Sequence, residues 1–230
     1  MDPLLEAREL DKSFPRSSGV VRVLTGCSLT LGAGEAVAVM GPSGVGKSTL
    51  LNILGGLDWP DAGEVRYRGA ALALDDPRAM SRWRTDGVGF VFQFHFLLPD
   101  FTARENLLLP VRARRPVTAA DRERADRFLE ALGLAARADH LPGELSGGEQ
   151  QRVAVARAYM NRPAIVLADE PFGNLDREKG TELGELLFAL RREEGTSMVI
   201  VTHDPVLAGR ADRVLVLDDG RLRPAERGAP

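Results

Sequence analysis

After Ala36-Val37-Ala38-Val39-Met40, a run apolar enough for a buried strand, the chain reads Gly41-Pro42-Ser43-Gly44-Val45-Gly46-Lys47-Ser48-Thr49 and then Leu50-Leu51-Asn52-Ile53-Leu54. The central stretch satisfies G-x-x-x-x-G-K-[ST]. A strand before it and a helix after it are the setting this pattern requires. The glycines let the backbone turn tightly, so that successive N–H groups point inward at phosphate oxygens. The start of the following helix adds the positive end of its dipole. Lys47 is placed to reach the β- and γ-phosphates, and the Ser48 hydroxyl to bind Mg²⁺.

The rest of the chain fits one α/β fold around this loop. Apolar-polar alternation over 4–10 and 20–31 predicts half-buried antiparallel strands. Glu64–Tyr67 and Gly87–Phe92 read as further strands, the second ending at Gln93. Residues 95–160 change character, with helical spacing, prolines at 99, 110, 116 and 142, and no convincing strand. Within them, 119–132 form an amphipathic helix with Ala125, Phe128, Leu129 and Leu132 on one side. Ala164–Ala168, Ser197–Val201 and Arg213–Leu217 are continuous apolar strands, and 177–194 form a helix between the first two. Strands buried on both faces and alternating with helices imply a mostly parallel sheet. The expected plan is a single domain. A sheet core with an antiparallel β subdomain spans 1–93 and 161–222, a helical insertion 94–160, and a frayed tail 223–230.

Two further stretches carry chemistry. The strand from Ala164 ends in Asp169-Glu170. In a P-loop enzyme Asp169 would hold Mg²⁺ through water, and Glu170, one residue on, would polarise the attacking water. Leu145-Ser146-Gly147-Gly148-Glu149-Gln150-Gln151-Arg152 opens a helix, with Ser146 as N-cap and Glu149 as its capping-box partner. The two glycines also leave backbone N–H groups bare for an anion.

With these elements in this order, the chain resembles an ATP-binding-cassette (ABC) ATPase over 4–222. The matching residues are the P-loop at 41–48, Gln93, the LSGGEQQR stretch at 145–152, Asp169-Glu170, Gly173-Asn174-Leu175-Asp176 and His203. The resemblance implies a head-to-tail homodimer that clamps two ATP molecules. Ser146, Gly147, Gly148 and Glu149 of each copy would meet the γ-phosphate held by the other copy's P-loop. It further implies that Gln93 joins Mg²⁺ and senses the γ-phosphate, that His203 helps hold Glu170 and the water, and that Asp176 communicates across the dimer. Phe14 falls where the family places an aromatic that stacks on adenine, though it could equally pack.

Gly55-Gly56-Leu57-Asp58, Gln93–Ala103 and Leu167–Pro171 are similar to the LolD/MacB/FtsE group of cassettes. That likeness implies two integral membrane subunits, LolC/LolE-like or MacB-like, gripped by the stretch after Gln93. It also implies a role in releasing lipoproteins from the outer leaflet of the inner membrane. A macrolide or peptide exporter and a cell-division complex share the motifs. Phe94–Phe101 holds too many apolar residues for an exposed loop, so it forms a partner patch, packs inside the insertion, or does both. Phe172 stands where that group usually has threonine, which puts cross-dimer communication in question.

Composition narrows the alternatives. The 230 residues are 44% hydrophobic and carry a net charge of −3, which does not suit bulk nucleic-acid binding. A soluble DNA-repair or ribosome cassette would carry two cassettes or a coiled-coil insertion, and neither is present. Arg112–Arg127 mixes both charge signs and reads as a solvated helix face. The one cysteine, Cys27, excludes an intrachain disulfide. No zinc-ligand spacing occurs. His95 reads as structural or interfacial, His140 as solvated, and Asp75-Asp76 and Asp218-Asp219 as turns. No apolar run approaches the roughly 18 residues of a membrane span, and Met1-Asp2-Pro3 does not open a signal peptide. The expected location is the cytoplasmic face of the membrane, reached through a partner rather than by insertion.

Overall fold

Alternating apolar and polar residues at the N-terminus build the first of two sheets in the computed structural model, which describes residues 2–17 and 19–225. β1 (Leu5–Arg16) and β2 (Gly19–Leu31) pair antiparallel. β3 (Ala36–Met40) runs through the glycine loop into α1 (Lys47–Leu54). β4 (Ala62–Tyr67) returns to pair with β1, and the short β5 (Ala70–Ala71) lies beyond it. α2 (Pro77–Arg82) and a π-helical turn, Trp83–Gly87, lead into β6 (Val88–Phe92). The helices α3 (Ala103–Arg112), α4 (Ala119–Ala131) and α5 (Gly147–Tyr159) follow. The core resumes with β7 (Ile165–Asp169), α6 (Arg177–Glu193), β8 (Ser197–Val201), α7 (Pro205–Ala208), β9 (Arg213–Asp218) and β10 (Arg221–Pro224).

The second sheet has the order β10-β9-β3-β8-β7-β6, parallel throughout except for β10 against β9. Its strands are apolar on both faces because both faces are covered. Val37, Val39, Ile165, Leu167 and Val199 turn toward α1 and the first sheet. Ala36, Ala38, Val166, Ala168, Met198 and Ile200 turn toward the core shared with α5 and α6. Cys27 is buried in the first of these cores, where burial pushes its thiol up to about 11, so it is inert packing.

The α4 stripe is as the sequence implies: Ala125, Phe128, Leu129 and Leu132 are buried. α4 is tied to the end of α6 by Arg124–Glu194 at 2.6 Å, both groups nearly enclosed. α5 packs directly on β6 through Gly89. A Cβ there would lie 2.2 Å from the Ala158 carbonyl oxygen.

Two readings are corrected. The first strand continues past residue 10 to Arg16, its register with β2 shifting at irregularities between Ala7 and Ser13. The tail does not fray from 223: Arg223 and Pro224 pair with Val216 and Leu215. An edge strand needs only a backbone partner, and β9 offers one, so no apolar periodicity marks it. Residues 226–230 lie outside the described residues.

The Gly89 contact yields a prediction. Gly89→Ala forces α5 off β6 and is expected to lower stability by about 1–3 kcal/mol. Urea unfolding measures this, and an unchanged midpoint would mean that the helix backs away without cost.

Candidate active site

The glycine loop joins β3 to α1 at the carboxyl edge of the parallel sheet, where ligands of open α/β sheets bind. Gly41, Gly44 and Gly46 have φ of 143°, 77° and 113°, backbone that only glycine adopts without strain. Gly46 also lies against β2, since a Cβ would come 2.4 Å from a Val23 methyl. Lys47 is buried, and its Nζ donates to the carbonyls of Gly41 and Pro42, both at 2.8 Å. The ammonium thus lies within its own loop, bonded to two of its carbonyls.

A cavity of about 640 Å³ opens over this loop. Gly41, Ser43, Gly44, Gly46, Lys47, Ser48 and Thr49 line it, together with Gln93, Asp169, Glu170, His203 and Phe14. Residues far apart in sequence therefore meet on one wall. Pro42 and Val45 complete the loop without lining the cavity, Pro42 contributing its carbonyl to Lys47. Arg16 and Val23 also line it, and motif reading missed both. Their only sequence signal was proximity to Phe14 and a place on paired strands.

Each catalytic candidate is held by specific bonds. Glu170 has φ of +43°, a left-handed backbone that costs a non-glycine residue about 1–3 kcal/mol. Its N–H donates to the Val201 carbonyl at 2.9 Å, which fixes that conformation to the neighbouring strand. His203 Nδ1 lies 2.8 Å from Glu170 Oε2, and the His203 N–H donates to the same oxygen at 3.3 Å. Because Oε2 accepts, Nδ1 carries the proton. Asp169 Oδ1 is buried without a hydrogen-bond partner. An orphaned buried carboxylate oxygen is costly alone and fits a hydrated cation held jointly with phosphate. Among the described residues no group of His, Cys, Asp and Glu could hold a metal by itself.

Gln93 and Asn174 bond reciprocally: Gln93 Nε2 donates to Asn174 Oδ1 at 3.1 Å, and Asn174 Nδ2 to the Gln93 carbonyl at 3.2 Å. The Phe14 ring has Lys12 Nζ 5.2 Å from its centroid, and that ammonium is in turn paired with Asp58 at 2.8 Å.

The remaining candidates lie elsewhere. Ser146 caps α5, accepting from the Glu149 N–H at 3.3 Å, while Glu149 Oε2 accepts from the Ser146 N–H at 2.7 Å. The Ser146 N–H, together with the Ser146 hydroxyl that donates to the same oxygen at 2.7 Å, holds the Glu149 carboxyl below its usual range. Ser146, Gly147, Gly148 and Glu149 do not line the cavity, and a Cβ on Gly147 would meet nothing within 4 Å. Asp176 caps α6 by accepting from the Lys179 N–H at 3.0 Å and pairs with Lys179 Nζ at 2.9 Å, which lowers its pKa. It shares a neighbouring cleft with Glu170 and His203. Phe172 is buried against α6, its Cβ beside Gly180 and its ring beside Gly184.

A protein-family profile described as ABC transporter matches residues 24–173. The chain belongs to the ABC transporter family. It is an ATP-binding subunit whose chemistry is ATP hydrolysis coupled to transport. This cassette is 50% identical over 222 residues to the lipoprotein-releasing system ATP-binding protein LolD of Bordetella pertussis, covering 96% of each chain. It is 48% identical over 220 residues to YbbA, an uncharacterised ABC transporter ATP-binding protein of Escherichia coli, again over 96% of each. Among solved structures it matches the ATP-binding cassette MJ0796, a dimer in a post-hydrolysis state bound to ADP and Pi. The TM-score is 0.88, with 38% identity, over 98% of this chain and 99% of that one.

For this cassette, Lys47→Ala is expected to weaken ATP binding at least tenfold, about 1.4 kcal/mol. Isothermal titration calorimetry reads it; an unchanged affinity would remove the ammonium from phosphate recognition.

Proposed function

We propose that this cassette powers the release of lipoproteins from the outer leaflet of the inner membrane toward a periplasmic carrier. It would do so from the cytoplasmic face, as one of two copies bound to two integral membrane subunits of the LolC/LolE kind. The likeness to LolD along nearly the whole of both chains carries this reading. The near-equal likeness to YbbA keeps a second reading, a MacB-like exporter or FtsE-like complex built on other membrane subunits.

In the proposed cycle, ATP lies on the glycine loop with adenine against Phe14. Ser48, Gln93 and Asp169 would hold Mg²⁺, which when bound would neutralise charge on the phosphates. Glu170 orients the attacking water, and His203 holds the Glu170 carboxylate; their 2.8 Å contact supports the pairing. Ser146, Gly147, Gly148 and Glu149 face the nucleotide of a second copy, with Asp176 between the two sites. The separation of this stretch from its own cavity and the open space around Gly147 support that assignment. Membrane attachment runs through the segment after Gln93, where Phe94 and Phe96 are 61% and 63% exposed. No helix among the described residues is long and apolar enough to cross a membrane.

Glu170→Gln is expected to keep ATP affinity and accumulate an ATP-bound dimer on gel filtration, because the carboxylate acts after closure. Turnover at the wild-type rate would remove Glu170 from the mechanism. Affinity purification from detergent-solubilised membranes recovers lipoprotein-releasing membrane subunits, and depletion of the cassette leaves lipoproteins in the inner membrane. Phe94→Ser with Phe96→Ser loses those subunits while basal ATPase activity persists. Recovery of an exporter or division subunit would favour the second reading.

A further inference from the structure

The LSGGEQQR stretch contains a buried side chain that the proposed cycle does not use. Gln151, in the second turn of α5, is 1% exposed. Its Nε2 donates to the Phe92 carbonyl at 3.1 Å and to the Pro171 carbonyl at 2.5 Å. Phe92 immediately precedes Gln93, and Pro171 immediately follows Glu170. Two carbonyls can only accept, so they fix which way the amide points. Oε1 is then turned to His95, whose Nδ1 lies 2.6 Å away and must carry the proton. The position of His95 is itself fixed, because Arg157, also on α5, donates to its carbonyl at 2.8 Å.

One amide thus ties two chain segments to its own helix. Those two carry the side chains on the γ-phosphate side of the cavity, and the helix begins at Ser146. We propose that Gln151 is a positioning residue that fixes the distance from the cavity wall at Gln93 and Glu170 to the Ser146–Gly148 turn. In one copy those two surfaces serve different nucleotides. A rigid amide between them makes loading of one site felt at the surface offered to the other, and His95 holds the amide in place. This inference rests on the proposed assignment of Ser146–Gly148 to a second copy's nucleotide.

The test uses the full chain with Gln151→Leu, of similar size but unable to hydrogen-bond, and Gln151→Glu, whose carboxylate repels both carbonyls. Each is expected to lower kcat about tenfold or more while KM for ATP stays within about twofold. In a Glu170→Gln background, each should lower the fraction of dimer reached at saturating ATP by about tenfold or more. The inference is overturned if folded variants keep both kcat and dimer formation. It is equally overturned if kcat, ATP affinity and thermal midpoint fall together, or if neither variant folds, since Gln151 would then serve packing alone. Glu170→Gln with Gln151 intact is the control. Absence of its dimer would count against the two-copy assignment, and the kcat–KM split would still decide for or against Gln151.

Discussion

Register across four parallel strands governs everything at the site. Val39 is level with Val201, Val201 with Asp169, and Asp169 with Phe92. The next residues therefore leave the sheet along one edge: Met40 into the glycine loop, Thr202 toward His203, Glu170, and Gln93. A slip of one residue in any pair would reverse the faces of that strand and move its functional residue out of line. The core forbids such a slip. Val37, Val39, Ile165 and Leu167 belong to one buried layer and Ala36, Ala38, Val166 and Ala168 to the other, all essentially inaccessible to water. The packing that stabilises the sheet is also what aligns the chemistry.

That alignment leaves three charged side chains incompletely compensated or strained. Lys47 bonds two carbonyls of its own loop, so its charge is only partly compensated. Asp169 presents a buried oxygen without a partner. Glu170 sits in a left-handed conformation held by Val201 and His203. Each is more costly than an ordinary core position, and the surrounding strands supply the rigidity to keep it so. Groups held this way need little rearrangement to act on a charged ligand, the condition under which electrostatic stabilisation is most effective.

Much of this was legible because the relevant chemistry is local in sequence. Gly41, Gly44 and Gly46 encode one loop, Ser146 and Glu149 one cap, and Asp169-Glu170 one strand end. The reading stopped where a residue's partner lies far along the chain. Gln151 shows no sign in sequence of bonding Phe92 and Pro171, nor Asn106 of bonding Leu98, Phe101 and Thr102 with one amide. Phe172 reads as a variation in a communicating loop, and only the packing against Gly180 and Gly184 of α6 shows why a large ring fits. Strand ends were missed for a related reason: β10 is held by backbone pairing with β9, which composition does not announce.

The segment after Gln93 joins these themes. Phe90, Phe92, Phe96 and Phe94 form a chain of ring contacts 5.5 to 6.2 Å apart that runs from the sheet to the surface. Exposed rings would normally sit on a mobile loop, but here the backbone beneath them is tied down. Arg157 donates to the carbonyls of His95 and Phe96, and Phe96 has φ of +46°. Asn106 both donates to and accepts from Leu98. An apolar face already ordered by buried polar groups loses little conformational entropy when covered, so apolar contact there converts more fully into affinity. The same helix that fixes this face, α5, begins at Ser146 and carries Gln151. Through α5 the exposed rings are therefore joined by hydrogen bonds to the carbonyls beside Gln93 and Glu170.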